Sequence, residues 1–227
     1  MDVYFNIYCS MKFLTGYKIY ENKSRIDDIC RKYTIINYTI KPDGSIDVDG
    51  SVDINKCKLE KLPLKFGHVT SYFDCSKNYL QTLEGSPDSV GGDFYCSDNE
   101  LTSLKGCTSK IDSFFCSINY LYSLEYFPTE IGGNFLCRRN PIHSIVRYFI
   151  YSNAVIMKRN GFTLCGLIEF FNDADIVQDH NIICDRLVWF FEEIGLKEVG
   201  SNGLLYTKEY DFNRILSNVS TKYNLIR

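Results

Sequence analysis

The chain has 227 residues, a formal net charge of −3 and a sequence pI of about 5.7. This balance argues against a dedicated nucleic-acid binder, which usually carries a basic excess. The first residues lack the basic start and apolar run of a signal peptide, and no stretch reaches the 18 or so apolar residues that a membrane helix needs, so the sequence predicts a soluble, cytoplasmic protein without membrane association.

The first 45 residues contain no repeat and are predicted to form a cap. Ser24 can cap a short helix whose apolar face carries Ile26 and Cys30. Two short apolar stretches, 38–40 and 46–48, flank the turn sequence Lys-Pro-Asp-Gly-Ser and predict a β-hairpin. Because the end of a solenoid exposes its core and a strand edge, we expect the helix and hairpin to cover that end. The first 20 residues carry no pattern that assigns them.

Residues 46–146 repeat one phrase five times. In each copy an apolar residue and a small buried-type residue, two positions apart, precede the pattern Asn-x-Leu-x-x-Leu. The second residue of the pair recurs at spacings of 21, 21, 20 and 21, as Ile54, Cys75, Cys96, Cys116 and Cys137. A fixed period near 20 indicates one supersecondary unit stacked on copies of itself. The pattern is typical of a leucine-rich repeat.

The constant positions of the repeat predict its packing. The pairs that face the core are Val52/Ile54, Phe73/Cys75, Phe94/Cys96, Phe114/Cys116 and Phe135/Cys137. An Asn follows each pair and is expected to bond the backbone of neighbouring rungs; it is Asn78, Asn99, Asn119 and Asn140, with Cys57 in the first copy. The return leg is too short for a helix and is predicted to hold turns or 3₁₀ segments that end at Val69, Val90, Ile111 and Ile131.

Ten cysteines raise the alternative of a disulfide or metal site. Four of them share one repeat position, where the first copy has Ile54, so the position requires an apolar side chain rather than sulfur chemistry. Stacked strands would set neighbouring cysteines about 4.8 Å apart, which leaves a metal column open, although no His or acidic residue accompanies it. A free Cys packs well as a small buried hydrophobe. The sequence therefore predicts no metal site and no cofactor.

The repeat register ends after Ile145, and residues 147–227 are predicted to form an α-rich C-terminal cap. Helices are predicted over 142–151, 184–194 and 211–223 from their apolar periodicity. The whole chain is thus predicted to be an α/β solenoid of the leucine-rich-repeat type. It has parallel strands on the concave face, a short non-helical convex side, a helix-and-hairpin N-terminal cap over 1–45 and the α-rich C-terminal cap.

The string Val-Gly-Gly-Asp-Phe-x-Cys-Ser-x-Asn-x-Leu-x-Ser-Leu at 90–104 closely resembles a family of short leucine-rich-repeat proteins encoded by bacteriophages and some bacteria. The helix and hairpin before the repeats, Asn140-Pro141-Ile142, and the segment 182–187 are similar to that family as well. The resemblance covers residues 24 to about 200, with departures at Thr108, where Pro is usual, and in the extension before Met11. It implies a phage or bacterial cytoplasmic protein that binds a partner and carries no catalytic signature.

The residue between the two core positions points outward from the strand and changes along the repeats. It runs from acidic to aromatic to aliphatic, as Asp53, Asp74, Tyr95, Phe115 and Leu136. Apolar patches beside arginines usually mark an interface. We therefore predict a binding site on the concave face, formed by Asp74, Tyr95, Asp98, Phe115, Ile118, Leu136, Arg138 and Arg139. Two alternatives remain open for the apolar stripe, namely cover by the C-terminal unit and pairing with a second copy as a homodimer.

Two other classes of function are possible on sequence grounds. An effector enzyme could use the repeats as a substrate arm and the C-terminal region as catalyst, with Cys184 or the acidic stretch Asp173, Asp175 and Asp179 beside His180. The residues around Cys184 are apolar and favour a core Cys, because reactive thiolates need an electropositive, partly exposed site. RNA binding would use a basic cluster near the last repeat, formed by Arg138, Arg139, Arg147, Lys158 and Arg159.

The interpretation that fits these observations is a non-enzymatic protein–protein interaction module. If the phage resemblance holds, its partner is a host protein, and inhibition of a host defence or regulatory factor is the expected use. The site is expected to bind protein rather than nucleic acid or membrane.

Overall fold

The computed structural model describes residues 22–143, 145–146, 163–193, 216–217 and 219–226. Helical backbone, α1, runs over 22–32. The next elements are β1 (Tyr38–Ile40), β2 (Ile46–Val48), β3 (Val52–Asp53), β4 (Phe66–Val69), β5 (Phe73–Asp74), β6 (Ser89–Val90), β7 (Phe94–Tyr95), β8 (Lys110–Ile111), β9 (Phe114–Phe115), β10 (Glu130–Ile131) and β11 (Phe135–Leu136). Beyond the repeats come α2 (Leu164–Asp173), β12 (Val177–Gln178), β13 (Asn181–Ile183), α3 (Cys184–Glu193) and β14 (Asn224–Ile226).

The repeats stack as a parallel β-solenoid in which each copy contributes one rung. Strands β3, β5, β7, β9 and β11 form a five-stranded sheet, and equivalent residues of successive repeats are Cα partners in it. Backbone bonds run from rung to rung: the Phe73 N–H donates to Asp93 O at 3.0 Å and the Cys75 N–H donates to Tyr95 O at 2.9 Å. The predicted parallel strands are confirmed.

The return leg of each repeat also contains a short strand, so the solenoid has two strand faces. β2, β4 and β6 pair in parallel, and β1 lies at the edge of this sheet, antiparallel to β2. β8 and β10 form a separate parallel pair. The prediction of turns or 3₁₀ segments was therefore wrong at the end of the leg. There the backbones of successive legs are hydrogen-bonded to each other; the Gly91 N–H, for example, donates to Val69 O at 2.9 Å. A Cβ at Gly91 would lie 2.3 Å from Thr70 O, which explains the glycine at this close approach.

Aromatic rings fill the space between the two strand faces. Phe73, Phe94 and Phe114 are fully buried, with ring centroids 5.3 and 5.8 Å apart along the stack. Phe135 continues the stack 6.1 Å beyond Phe114. Burial of a large apolar side chain contributes about 2 kcal/mol or more. The predicted core pairs are all buried, so the inward positions of the repeat are confirmed.

A ladder of buried asparagines joins the rungs. The Asn99 amide donates to Cys75 O of the preceding rung at 3.0 Å and to Cys96 O of its own rung at 3.2 Å, while its Oδ1 accepts the Leu80 N–H at 3.0 Å. Asn78, Asn119 and Asn140 make the equivalent bonds. Each Asn thus reaches back to the rung before it. The first copy of the phrase has no earlier copy to reach, which explains the exposed Cys57 at this position.

The cysteine column is a packing feature in this structure. Cys75, Cys96, Cys116 and Cys137 are buried free thiols. Burial raises the pKa of the Cys137 thiol to about 12 and the pKa values of the other three thiols further. A thiol held in its neutral form is a poor nucleophile and a poor metal ligand. Within the residues that the structure describes, no group of three or more His, Cys, Asp or Glu side chains is placed to hold a metal ion.

The N-terminal hairpin forms as the sequence predicts. β1 and β2 pair antiparallel around a turn in which Gly44 has a φ of +80°, and β2 continues into the sheet of the return legs. Ile26 and Cys30 of α1 are buried in the core, as expected. The predicted helix cap at Ser24 is wrong: the backbone is already helical at 22, so Ser24 lies inside the helix. Residues 1–20, which the sequence leaves unassigned, lie outside the described part.

The C-terminal region differs from the predicted α-rich unit because it contains a small sheet. β12 and β13 form a hairpin, and β14 pairs in parallel with β13. The predicted helix over 184–194 is confirmed as α3, while α2 was not predicted. In the predicted helix 211–223 the described residues are helical at 216–217 and 219 but form a turn over 220–222. The predicted helix 142–151 is helical at 143 and 145–146, and 147–151 lie outside the description.

Candidate functional site

The outward residues of the five-stranded sheet form one continuous column across the rungs. This outer column consists of Asp53, Asp74, Tyr95, Phe115 and Leu136, which are Cα partners from strand to strand. Asp53 and Leu136 are exposed, and the three residues between them are half-buried. The outward position predicted from the repeat is therefore correct, and we call the surface around the outer column the ladder face.

Two aromatic rings stack at the centre of the ladder face. The centroids of Tyr95 and Phe115 are 4.7 Å apart with an angle of 7° between the rings. Tyr72 packs edge-on against Tyr95 at 6.4 Å. The sequence prediction omitted Tyr72 and Asp93. They lie two residues before Asp74 and Tyr95 of the outer column, directly before β5 and β7. The two-residue periodicity of a strand places them on the same face as the outer column and was the signal that could have found them.

The Tyr95 hydroxyl is fixed rather than free. It donates to Asp93 Oδ2 at 2.7 Å, and this bond to a carboxylate, together with partial burial, raises the pKa of Tyr95 to about 12. Both side chains are thereby held in one orientation. Fixed aromatic side chains lose little conformational entropy when they bind a partner.

The first two rungs carry carboxylates at directly opposed positions. Asp53 and Asp74 are Cα partners, an arrangement in which like charges repel. The Asn55 amide lies between them and donates to both carboxylates, at 3.4 Å for Asp74 Oδ2. The Ser76 N–H also donates to Asp74 Oδ1 at 2.8 Å. Neither Asp53, Asp74 nor Asp93 forms an ion pair within 4 Å among the described residues.

The margin of the ladder face is a left-handed turn that recurs in every rung. Its residues have φ between 55° and 60° and are Lys56, Lys77, Asp98, Ile118 and Arg139. A β-branched residue is strongly disfavoured in this conformation, yet Ile118 is there, with 41% of its surface exposed. Exposure and strain together make Ile118 unfavourable for folding. Strained positions of this kind are found most often at functional sites.

Ile118 extends the apolar part of the ladder face toward two arginines. Leu136 is 36% exposed, and Arg138 and Arg139 follow it on the last rung as exposed side chains. Neither arginine forms an ion pair within 4 Å with any part of the chain that the structure describes. Tyr95, Phe115, Ile118, Leu136 and the two arginines thus lie on the third to fifth rungs of the ladder face. Asp98 lies on the same rung as Tyr95, and Asp74 lies on the rung before it.

The described C-terminal residues contact the solenoid on its turn segments, and Lys222 Nζ donates to Asn140 O, directly after Arg139, at 3.4 Å. Asn172 of α2 donates to Leu124 O at 3.0 Å, and the Tyr223 hydroxyl donates to Tyr122 O. The ring of His180 lies 4.0 Å from the ring of Tyr122. The contacts with Leu124 and Tyr122 are on the turn segment that follows β9, and the contact with Asn140 is on the segment that follows β11. They give no support to the idea that the C-terminal unit covers the apolar stripe.

The residues proposed for an enzyme are not assembled into a catalytic arrangement by any contact described. Cys184 is buried, whereas Asp173 and Asp179 are exposed, and Asp175 pairs with Arg186 at 2.5 Å.

A histidine and a serine also lie close together on the other strand face, where His68 Nδ1 is 2.7 Å from Ser89 Oγ. The carboxylate of Asp47 accepts the backbone N–H of His68 rather than its ring, and His68 is exposed.

The basic cluster proposed for RNA is described only in part. Arg138 and Arg139 are exposed on the last rung, while Arg147, Lys158 and Arg159 lie outside the described residues. No described helix combines the length and the apolar composition of a membrane-spanning segment.

No family model, no curated protein and no solved structure matches the chain.

Proposed function

We propose that this protein is a non-enzymatic interaction module that binds another protein through the ladder face. The observation that carries the proposal is the apolar part of that face, where Tyr95, Phe115, Ile118 and Leu136 form one partly exposed patch on adjoining rungs. Aromatic and arginine side chains contribute most of the binding energy in protein interfaces. The residues that change along the repeat are on this surface.

Several finer features complete the proposal. The solenoid is a leucine-rich repeat of the short type, its ladder face is the concave face, and residues 1–45 and 147–227 are its caps. The junction of β2 with β4 and the bond from Tyr223 to Tyr122 support capping at the two ends. The resemblance at 90–104 supports a phage-encoded protein that acts in the host cytoplasm on a host protein, as an inhibitor of a defence or regulatory factor.

Partner capture from host lysate tests the proposal. The full chain and the variant Tyr95→Glu/Phe115→Glu/Leu136→Glu are immobilised in equal amounts, and the captured proteins are identified by mass spectrometry. We expect the variant to lose the partner that the unmodified chain retains, because three carboxylates would be buried without partners in the interface.

A matched control uses exposed tyrosines of the turns. Tyr79, Tyr120 and Tyr126 are 50%, 57% and 53% exposed and lie outside the outer column. The variant Tyr79→Glu/Tyr120→Glu/Tyr126→Glu should retain the partner. Capture that survives the ladder-face changes but fails in this control would place binding on the turns and refute the proposal. Sedimentation of the unmodified chain would show whether a second copy is the partner.

A further inference from the structure

The ladder face has a net negative charge over its first three rungs and a positive charge on its last rung. We compare three positions on each rung: the outer column, the residue two before it and the left-handed turn. At these positions the first three rungs carry four carboxylates, at Asp53, Asp74, Asp93 and Asp98, and two lysines, Lys56 and Lys77, both in the turn. The last rung carries Arg138 and Arg139. The fourth rung between them has no charge at these positions and contributes Phe115 and Ile118. The apolar patch is therefore flanked by an acidic end and a basic end.

These charges are available to a partner. None of the four carboxylates and neither arginine is in an ion pair within 4 Å among the described residues, although the chain forms such pairs elsewhere, as between Lys110 and Glu130 at 2.8 Å. The arginines are exposed, and Asp74 and Asp93 are held in fixed positions by the bonds to Ser76 and Tyr95. Charges that are held in position but have no oppositely charged partner within the described residues favour a ligand of complementary charge order.

The distance between the two ends sets the size of that ligand. Neighbouring strands lie about 4.8 Å apart, so four intervals separate the first rung from the last by about 19 Å. An extended segment rises about 3.3 Å per residue and spans this distance with about six residues. A nucleic acid would place phosphates along the whole face, where the four carboxylates oppose it.

We infer that the ladder face recognises a polypeptide segment with a basic side chain at one end, an apolar middle and an acidic side chain at the other. This inference rests on the proposed function and specifies its partner. The acidic side chain pairs with Arg138 and Arg139, the apolar middle covers Phe115 and Ile118, and the basic side chain pairs with Asp53 and Asp74. The charge order thereby fixes the direction in which the segment lies.

Selection from a displayed library of random 16-residue segments tests the inference on the immobilised full chain. Segments that bind are counter-selected on the Tyr95→Glu/Phe115→Glu/Leu136→Glu variant, so that only ligands of the ladder face remain. We expect the enriched segments to carry Lys or Arg and Asp or Glu at least six residues apart, with apolar residues between them.

Double-mutant cycles on one enriched segment then assign each charge. Replacing its acidic residue by the neutral amide should weaken binding about tenfold to the unmodified chain and leave binding to Arg138→Gln/Arg139→Gln unchanged. Replacing its basic residue by Gln should show the same dependence on Asp53→Asn/Asp74→Asn. Charge changes whose effects simply multiply, without this coupling, overturn the inference but leave the proposed function intact.

Two further outcomes are distinguishable. If no displayed segment depends on Tyr95, Phe115 and Leu136 while the capture of a partner from lysate does, the inference is overturned and the proposed function stands; if the capture does not depend on them either, the proposed function itself fails. If a 20-nucleotide RNA binds at 150 mM salt and loses its affinity in the Arg138→Gln/Arg139→Gln variant, while no segment binds, the face is a nucleic-acid site and the inference is overturned.

Discussion

The two faces of the five-stranded sheet use adjacent residues for different purposes. On the inner face Phe73, Phe94 and Phe114 repeat one residue type, are fully buried and pack ring against ring. On the outer face, one residue further along each strand, the same rungs carry Asp74, Tyr95 and Phe115. The backbone of the sheet is common to both. The comparison indicates that constancy follows burial, and that the changing outer column is free to serve recognition.

The largest effect is expected on the inner face. Phe94→Ala removes a fully buried ring from the middle of the stack and should lower the free energy of unfolding by about 4 kcal/mol. Tyr95→Ala, at the next residue, should cost only about 2 kcal/mol, since that side chain is half-buried and loses the stack on Phe115, the edge contact with Tyr72 and the hydrogen bond to Asp93. Urea unfolding followed by circular dichroism measures both. Equal losses for the two variants would remove the distinction between the faces.

The asparagine ladder should be almost as sensitive as the aromatic core. Asn99→Ala removes three hydrogen bonds and leaves the buried Leu80 N–H without an acceptor, which should cost about 3 kcal/mol. The neighbouring exposed residue gives the control, because Glu100→Ala should change the free energy of unfolding by less than about 0.5 kcal/mol. A cost below about 1 kcal/mol for Asn99→Ala would show that the rungs are held without it.

The repeat positions were predictable from the sequence because each recurs at a fixed spacing. A single Phe94 says little, but the same type at 73, 94, 114 and 135 identifies an inward column. The second sheet was missed because each return leg gives only one apolar signal, such as Val69 or Val90, which a turn could equally supply. α2 was missed although Leu164, Leu167, Ile168 and Phe171 have helical spacing. Its boundary depends on a Thr163 cap, and Gly166 lies in its first turn.

The buried thiols should make the protein sensitive to alkaline pH. Burial raises the pKa of Cys137 from 9.0 to about 12, so the unfolded chain binds fewer protons than the folded chain between these pH values. The stabilisation of the folded chain by the neutral thiol is complete below pH 9 and is lost as the pH rises from 9 toward 12. Over that range the free energy of unfolding falls by about 1.4 kcal/mol per pH unit for each such thiol. Urea unfolding at pH 8 and pH 10 under reducing conditions measures the slope.

Cys137→Val tests the assignment of that slope. The first rung has Ile54 at the same position, so an apolar side chain is compatible with the site. The variant should reduce the pH dependence by the share of one thiol. An unchanged slope would mean that the alkaline sensitivity has another origin.

The smallest effect is expected at the turn margin, and its sign is opposite. Ile118 has a φ of 58°, which Asn tolerates far better than a β-branched residue. Ile118→Asn should therefore raise the free energy of unfolding by about 1 kcal/mol while weakening partner capture. The left-handed turn could not be predicted from Ile118 alone, because its residue type argues against that conformation. A variant that is stabilised and captures the partner as well as before would show that Ile118 is not part of the site.

The choice between the ladder face and the turns can be measured by site-specific photo-crosslinking in cells of the proposed host. The photoreactive analogue p-benzoylphenylalanine is introduced in place of Tyr95 in one chain and of Tyr79 in another, since both are partly exposed tyrosines and the change conserves an aromatic ring. Our account predicts a covalent adduct with the captured partner from position 95 and none from position 79. An adduct from position 79 alone would contradict it.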